Sequence, residues 1–223
     1  MKNNKITFSL IASLVLLFTA INPAYSQAYH KGVFIINLSE GSTGGTYSTY
    51  SNGEHTNPIG YGHEGGTRDP IALEYGISKH FGIGLSSGTD FYYVNAQKYY
   101  GFGLPTDQVK ATTSEFTIDG SYHFIVTPHM DFAAVLSLGG SSVFFSGGSG
   151  DQSYKYTSKG GIERLGLHGR FYIGNHFGFL VMASMFSMTN STNGINNNTV
   201  GNGITTKICG SALEFGFCYR IRK

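Results

Sequence analysis

"TSEFTIDGSYHFIV", residues 113–126, decides how the rest of the chain is read. Phe116, Ile118, Gly120, Tyr122 and Phe124 fall on one side of a period-two pattern, and Glu115, Thr117, Asp119, Ser121 and His123 fall on the other. Successive side chains of a strand point to opposite faces, so this is a strand with one apolar and one polar side. "TPHMDFAAVLSLGG", residues 127–140, follows it with a tight turn at Pro128 and another strand.

Working outward, the alternation recurs. Ile71, Leu73, Tyr75 and Ile77 oppose Ala72, Glu74, Gly76 and Ser78. Leu165, Leu167, Phe171 and Ile173 oppose Arg164, Gly166, His168, Arg170 and Tyr172. Leu213, Phe215, Phe217, Tyr219 and Ile221 oppose Ala212, Glu214, Gly216, Cys218 and Arg220. The count of such segments is eight, over 30–39, 69–78, 81–94, 110–126, 131–145, 161–173, 177–189 and 204–221. The first and seventh alternate poorly, and no segment reads as a helix of normal length.

The connections alternate in length: 40–68, 95–109, 146–160 and 190–203 are long, whereas 79–80, 127–130 and 174–176 are short. In a meander, consecutive turns lie at opposite ends, so the short turns share one end with both termini and the long loops share the other. His-Phe-Gly occurs at two of the short turns, in "YGISKHFGIGL" (75–85) and "FYIGNHFGF" (171–179). His80 and His176 therefore read as turn residues, with Pro128 in the same role.

Composition narrows the class. Charged residues are 13% of the 223, against about a quarter in soluble domains, with 32 glycines and 14% aromatics. A net charge of +2 without a Lys/Arg block gives nucleic acid no footprint. Met1–Lys5 carries two lysines, 6–21 is apolar, and "NPAYSQA" supplies small residues, so 1–26 reads as a signal peptide cleaved before Gln27 and 27–223 as the mature domain. Cys209 and Cys218 are nine apart on one expected strand (218 − 209 = 9), hence on opposite faces about 30 Å apart, too far for a disulfide.

Alternation alone does not say which face is inside, and a soluble lipocalin-like ligand-binding barrel is the alternative to a membrane barrel. Lysines avoid mid-strand positions, with Lys31, Lys79 and Lys110 at strand ends and Lys207 near one. Small residues such as Gly82, Gly84, Ser86, Gly88, Ser137 and Ser141 crowd the polar face, and aromatics such as Phe81, Tyr122, Phe132, Phe177 and Tyr219 crowd the short-turn end. Both features suit a filled eight-stranded lumen and an interfacial girdle. The expected fold is all-β, an eight-stranded antiparallel up-and-down transmembrane β-barrel after a cleaved signal peptide.

With this loop rhythm, the turn phrase "YHFIVTPHMDFAAVLSLGG" and the alternating aromatic end, the chain from about 29 to 223 resembles the small eight-stranded outer-membrane β-barrel family of Gram-negative bacteria, the OmpA/OmpX type. The resemblance implies an outer-membrane location, contact with outer-membrane lipids and lipopolysaccharide, and delivery by the barrel-insertion machinery. Members commonly finish on an aromatic residue, whereas this chain runs on to Arg222 and Lys223.

The inward face is expected to hold a lumen network of Glu74, Glu115, Asp119, His123, Arg164, His168, Arg170, Glu214 and Arg220, paired because charges away from water need partners. Among similar barrels are lipid A acyltransferases and deacylases, which set a His beside a Ser or carboxylate near the outer leaflet. Here His80, His129 and His176 lie at short turns, His123 and His168 lie in the turn-side half, and only His55 and His63 lie on the loop side. The reading is therefore non-enzymatic. Glu54, His55, His63 and Glu64 contain metal-ligand types, but short Gly-rich loop pairs are ordinarily solvated, so neither metal nor cofactor is assigned. Tyr47, Tyr50, Tyr61, Tyr99, Tyr100, Tyr154 and Tyr156 stand among Gly, Ser and Asn, a composition suited to adaptable binding of an unknown protein or surface ligand.

Overall fold

A computed structural model describes residues 28–50, 60–94, 109–147, 154–192 and 204–221. The leader 1–26 and its cleavage site lie outside the described residues, as do Glu54, His55, Tyr99 and Tyr100. Eight antiparallel strands close in chain order: β1 Phe34–Tyr50, β2 Gly60–Gly76, β3 Phe81–Val94, β4 Val109–Val126, β5 Met130–Gly147, β6 Tyr154–Ile173, β7 Phe177–Thr192 and β8 Ile204–Ile221. β1 pairs with both β2 and β8, so the barrel has no free edge. The register runs from Leu38 through Ile71, Ser87, Phe116, Gly140, Gly161, Thr189 and Lys207 and returns to β1 at Ser48. That is a stagger of ten residues (48 − 38 = 10). With a rise of about 3.3 Å per residue and a spacing of about 4.8 Å, it tilts the strands about 40° from the barrel axis.

Nearer the short turns, the outer wall is apolar. Ile71–Ile77, Phe116–Phe124, Leu165–Ile173, Phe177–Met185 and Leu213–Ile221 present alternate large hydrophobics, many about half exposed. Nine residues at this tilt rise about 20 Å, close to the lipid-facing band of a membrane barrel. An apolar outer wall around buried ionic groups excludes the lipocalin-like alternative. Aromatic rings cluster at the lower rim, with Phe132 edge-on to Phe171 and Phe177 against Phe217.

Three segments assigned to loops are strand. β1 continues through 40–50, β2 begins at Gly60, and β6 begins at Tyr154. There the two faces exchange character. Outward positions become Glu40, Ser42, Thr46, Asp69, Ser114, Glu163, Ser187 and Ser211, with Phe91, Tyr93 and Phe144 as exposed aromatic exceptions. Inward positions become apolar, and Tyr47, Tyr92, Ala111, Val143, Phe145, Ile162, Phe186, Met188 and Ile208 pack as one buried cluster. The chain thus sets an apolar outer wall around ionic groups near its turns and a hydroxyl-rich outer wall around an apolar core at its far end.

β1 begins at Phe34, four residues later than expected, because residues 28–33 do something else: they fold across the turn-side mouth. Ala28 N–H donates to Thr127 O (2.7 Å) and Gly32 N–H to Gly76 O (2.8 Å), and Ala28 and Tyr29 are fully buried.

Candidate functional site

The lumen is stacked in layers, all built from the inward parity of each strand. At the turn end, Arg170 on β6 bonds Asp131 (2.8 Å) and Glu74, and His123 on β4 bridges the same two carboxylates through Nε2 to Glu74 (2.7 Å) and Nδ1 to Asp131 (2.6 Å). Ser121 adds a hydroxyl to Glu74 (2.6 Å). Tyr29 lies flat on the His123 ring, centroids 3.4 Å apart, and caps the cluster. Gly82 makes room for it, because a Cβ there would collide with Tyr29, Glu74 and Ser121.

Further along the axis, Arg68 on β2 is the hub of a second cluster. It bonds Asp90 (3.0 Å), Glu214 (3.0 Å) and Glu115, while Arg164 bonds Glu115 (2.9 Å) and Ser184 (3.0 Å). Ser39 donates to Glu214 (3.1 Å) and Tyr92 to Asp90 (3.2 Å). Between the clusters, Asp119 accepts from Thr117 (2.8 Å) and Ser86 (3.3 Å). His168 borders a void of about 10 Å³ shared with Asn37, Glu74 and Arg170, which is room for about one water molecule. The apolar cluster of the outer half closes the stack above.

The inward residues expected from sequence thus fall into different places. Glu74, His123 and Arg170 share the turn-side cluster, Glu115, Arg164 and Glu214 share the outer one, and Asp119 and His168 sit between. Arg220 serves the mouth: it donates to Ala28 O (2.6 Å) and Asn175 O (3.0 Å) and lies over the Tyr172 ring at 4.0 Å. Arg68, Asp90 and Asp131 complete the clusters and lie outside the set expected from sequence. Arg68 shares the parity of Glu74 across a segment taken for loop, and Asp90 that of Gly82.

The turn residues have a common mechanical role. His80 O accepts from His123 N–H, His129 O from Tyr172 N–H and His176 O from Arg220 N–H, each at 2.7 Å. The rings of His80 and His176 reach the carbonyls of the same residues at 2.9 and 2.8 Å, so Nδ1 donates in both. Each turn of the His-Phe-Gly kind latches the next strand at two points, and Gly174 takes the left-handed conformation (φ 70°) that the second turn needs. Pro128 lies in the remaining short turn, 127–129, which Thr127 N–H closes on Met130 O (2.8 Å).

Chemistry-bearing residues elsewhere are scattered. His63 points outward and Glu64 inward, so these two do not share a face of β2. Among the described residues, no three His, Cys, Asp or Glu side chains group as metal ligands. Cys209 is exposed, Cys218 is buried, and both are free.

No protein-family model matches the chain, and no curated protein matches it. Among solved structures it is similar to the outer membrane protein OprG from Pseudomonas aeruginosa, at 15% identity and a TM-score of 0.53, over 87% of this chain and 98% of that one. It is also similar to Neisserial surface protein A, at 10% identity and a TM-score of 0.50, over 86% and 98% respectively. The likeness is one of fold: a small eight-stranded outer-membrane barrel.

Proposed function

We propose that the protein sits in the outer membrane of a Gram-negative cell as a non-conducting, non-catalytic barrel that holds its outer half and four connecting segments at the cell surface, in a structural or surface-interaction role. Outer-membrane lipids and lipopolysaccharide surround it, the barrel-insertion machinery delivers it, and a protein or surface ligand meets the connecting segments. One observation carries the reading: the lumen is filled at every described level, by the Tyr29 cap, two ionic clusters and an apolar plug. An ion would have to break buried pairs and then cross nine packed apolar side chains. Reconstituted in planar bilayers, the refolded chain is expected to add no stepwise conductance to the bare membrane. Discrete open levels would refute a sealed scaffold.

A further inference from the structure

We infer that the outer ionic cluster of the lumen carries a cation site, formed around Glu64 and Asp90 and suited to one hard divalent ion of the calcium class. The inference needs only the closed barrel and stands apart from the surface role proposed above.

Charge balance leads to it. In the turn-side cluster, Glu74 and Asp131 face the Arg170 guanidinium and the His123 imidazole. The outer cluster is unequal. Asp90, Glu115 and Glu214 share the Arg68 guanidinium, and Arg164 adds one more positive charge at Glu115. Glu64, on the inward parity of β2 that also carries Arg68, is a fourth carboxylate. It is only 7% exposed and enters no ion pair among the described residues. Four carboxylates against two guanidiniums leave two negative charges over (2 − 4 = −2). Buried charge needs compensation, so a positive species belongs in the cluster.

Protons would cancel the charge but leave oxygens idle. Glu64 Oε1 and Thr113 Oγ1 are both buried without a hydrogen-bond partner. Thr113, fully buried, stands directly opposite Asp90 in the β3–β4 register. Opposed side chains have Cβ atoms about 5 Å apart, so the idle hydroxyl lies beside the Asp90 carboxylate. Tyr92 donates to Asp90 Oδ2 (3.2 Å), and its hydroxyl reaches Thr43 on β1 (3.5 Å). Gly66 faces both Tyr92 and Thr43 in register and has no side chain to part Glu64 from them. Glu64 and Asp90 are near enough to repel each other.

The donors select the ion. The Glu64 carboxylate, Asp90 Oδ2 and the hydroxyls of Thr43, Tyr92 and Thr113 are all oxygen, with no sulfur or imidazole among them, which suits a hard cation. Two surplus charges match a divalent one. Magnesium keeps several of its waters, and Tyr92 belongs to the packed apolar cluster, where water has little room. Calcium accepts about six to eight oxygens in irregular geometry, and both Glu64 oxygens with the other four donors supply such a shell.

The test uses the full chain refolded in an uncharged detergent free of phospholipid and lipopolysaccharide, as wild type, Glu64→Gln, Thr113→Val and the outer-wall control Glu40→Gln. Calcium binding is measured by equilibrium dialysis, and heat-modifiable electrophoresis reports folding. Wild type and Glu40→Gln are expected to bind about one calcium per barrel, undisplaced by equal magnesium. Glu64→Gln should bind none, and Thr113→Val should bind roughly tenfold more weakly. Calcium should also raise the temperature at which the folded wild-type band disappears, with no such shift in Glu64→Gln. A folded wild-type barrel that binds no calcium overturns the site, and so does full binding by folded Glu64→Gln. Should Glu64→Gln fail to fold, an unchanged calcium affinity in Thr113→Val overturns it instead.

Discussion

Arg170 shows how much one buried side chain holds. It faces two carboxylates, Glu74 and Asp131, that His123 also bridges, and all four side chains are at most 8% exposed. Removing one member of such a set leaves charge in the interior without compensation, at a cost of about 3–5 kcal/mol. Arg170→Ala is therefore expected to lower the unfolding temperature of the detergent-solubilised barrel, and adding Glu74→Gln should recover part of the loss. An unchanged melting curve would remove Arg170 from the stabilising network. The sequence shows Arg170 and Glu74 on inward parities, but parity along one strand says nothing of which residues on distant strands meet. Asp131 lies at a strand edge beside a turn, where the pattern is too short to read.

At the scale of the strand, exchange of faces explains both what was legible and what was not. Below the exchange, outward Leu, Ile and Phe alternate with inward Glu, Arg and Ser, and the pattern gives the strands and their direction. Beyond it, Ser42, Gly44 and Thr46 face out while Thr43, Gly45 and Tyr47 face in. Small polar residues on both parities erase the contrast, so 40–50 and 60–68 resemble loop although they are hydrogen-bonded ladder. Cys209 and Cys218 report on this exchange. Cys209 lies on the outer wall four residues beyond Leu213, and Cys218 lies inside against Tyr172. In sealed vesicles with the connecting segments outermost, a membrane-impermeant maleimide is expected to label Cys209 rapidly and Cys218 only after unfolding. Protection of Cys209 would place the hydroxyl-rich zone within the hydrocarbon.

For the whole molecule, stability has two sources on either side of the exchange. The turn-side half relies on lipid outside and ion pairs inside, and the outer half on a conventional apolar core. Ile208, fully buried in that core, tests the division. Ile208→Ala should cost about 2–5 kcal/mol by leaving a cavity. It should lower the temperature at which the folded band disappears in heat-modifiable electrophoresis and leave the yield of membrane insertion unchanged. Loss of insertion would mean that the two halves form as one unit.

The mouth ties the beginning of the described chain to its end. Ala28 is held by Thr127 between β4 and β5 and by Arg220 near the end of β8, and Arg220 also binds the β6–β7 turn that latches its own strand. The β8–β1 seam and the seating of the N-terminal segment therefore share Arg220, so loss of that one guanidinium would loosen stopper and seam together. With the stopper seated, Glu74 and Asp131 are shut away from water at that mouth, and the turn-side ion pairs lie behind a plug made of the chain's own leading segment.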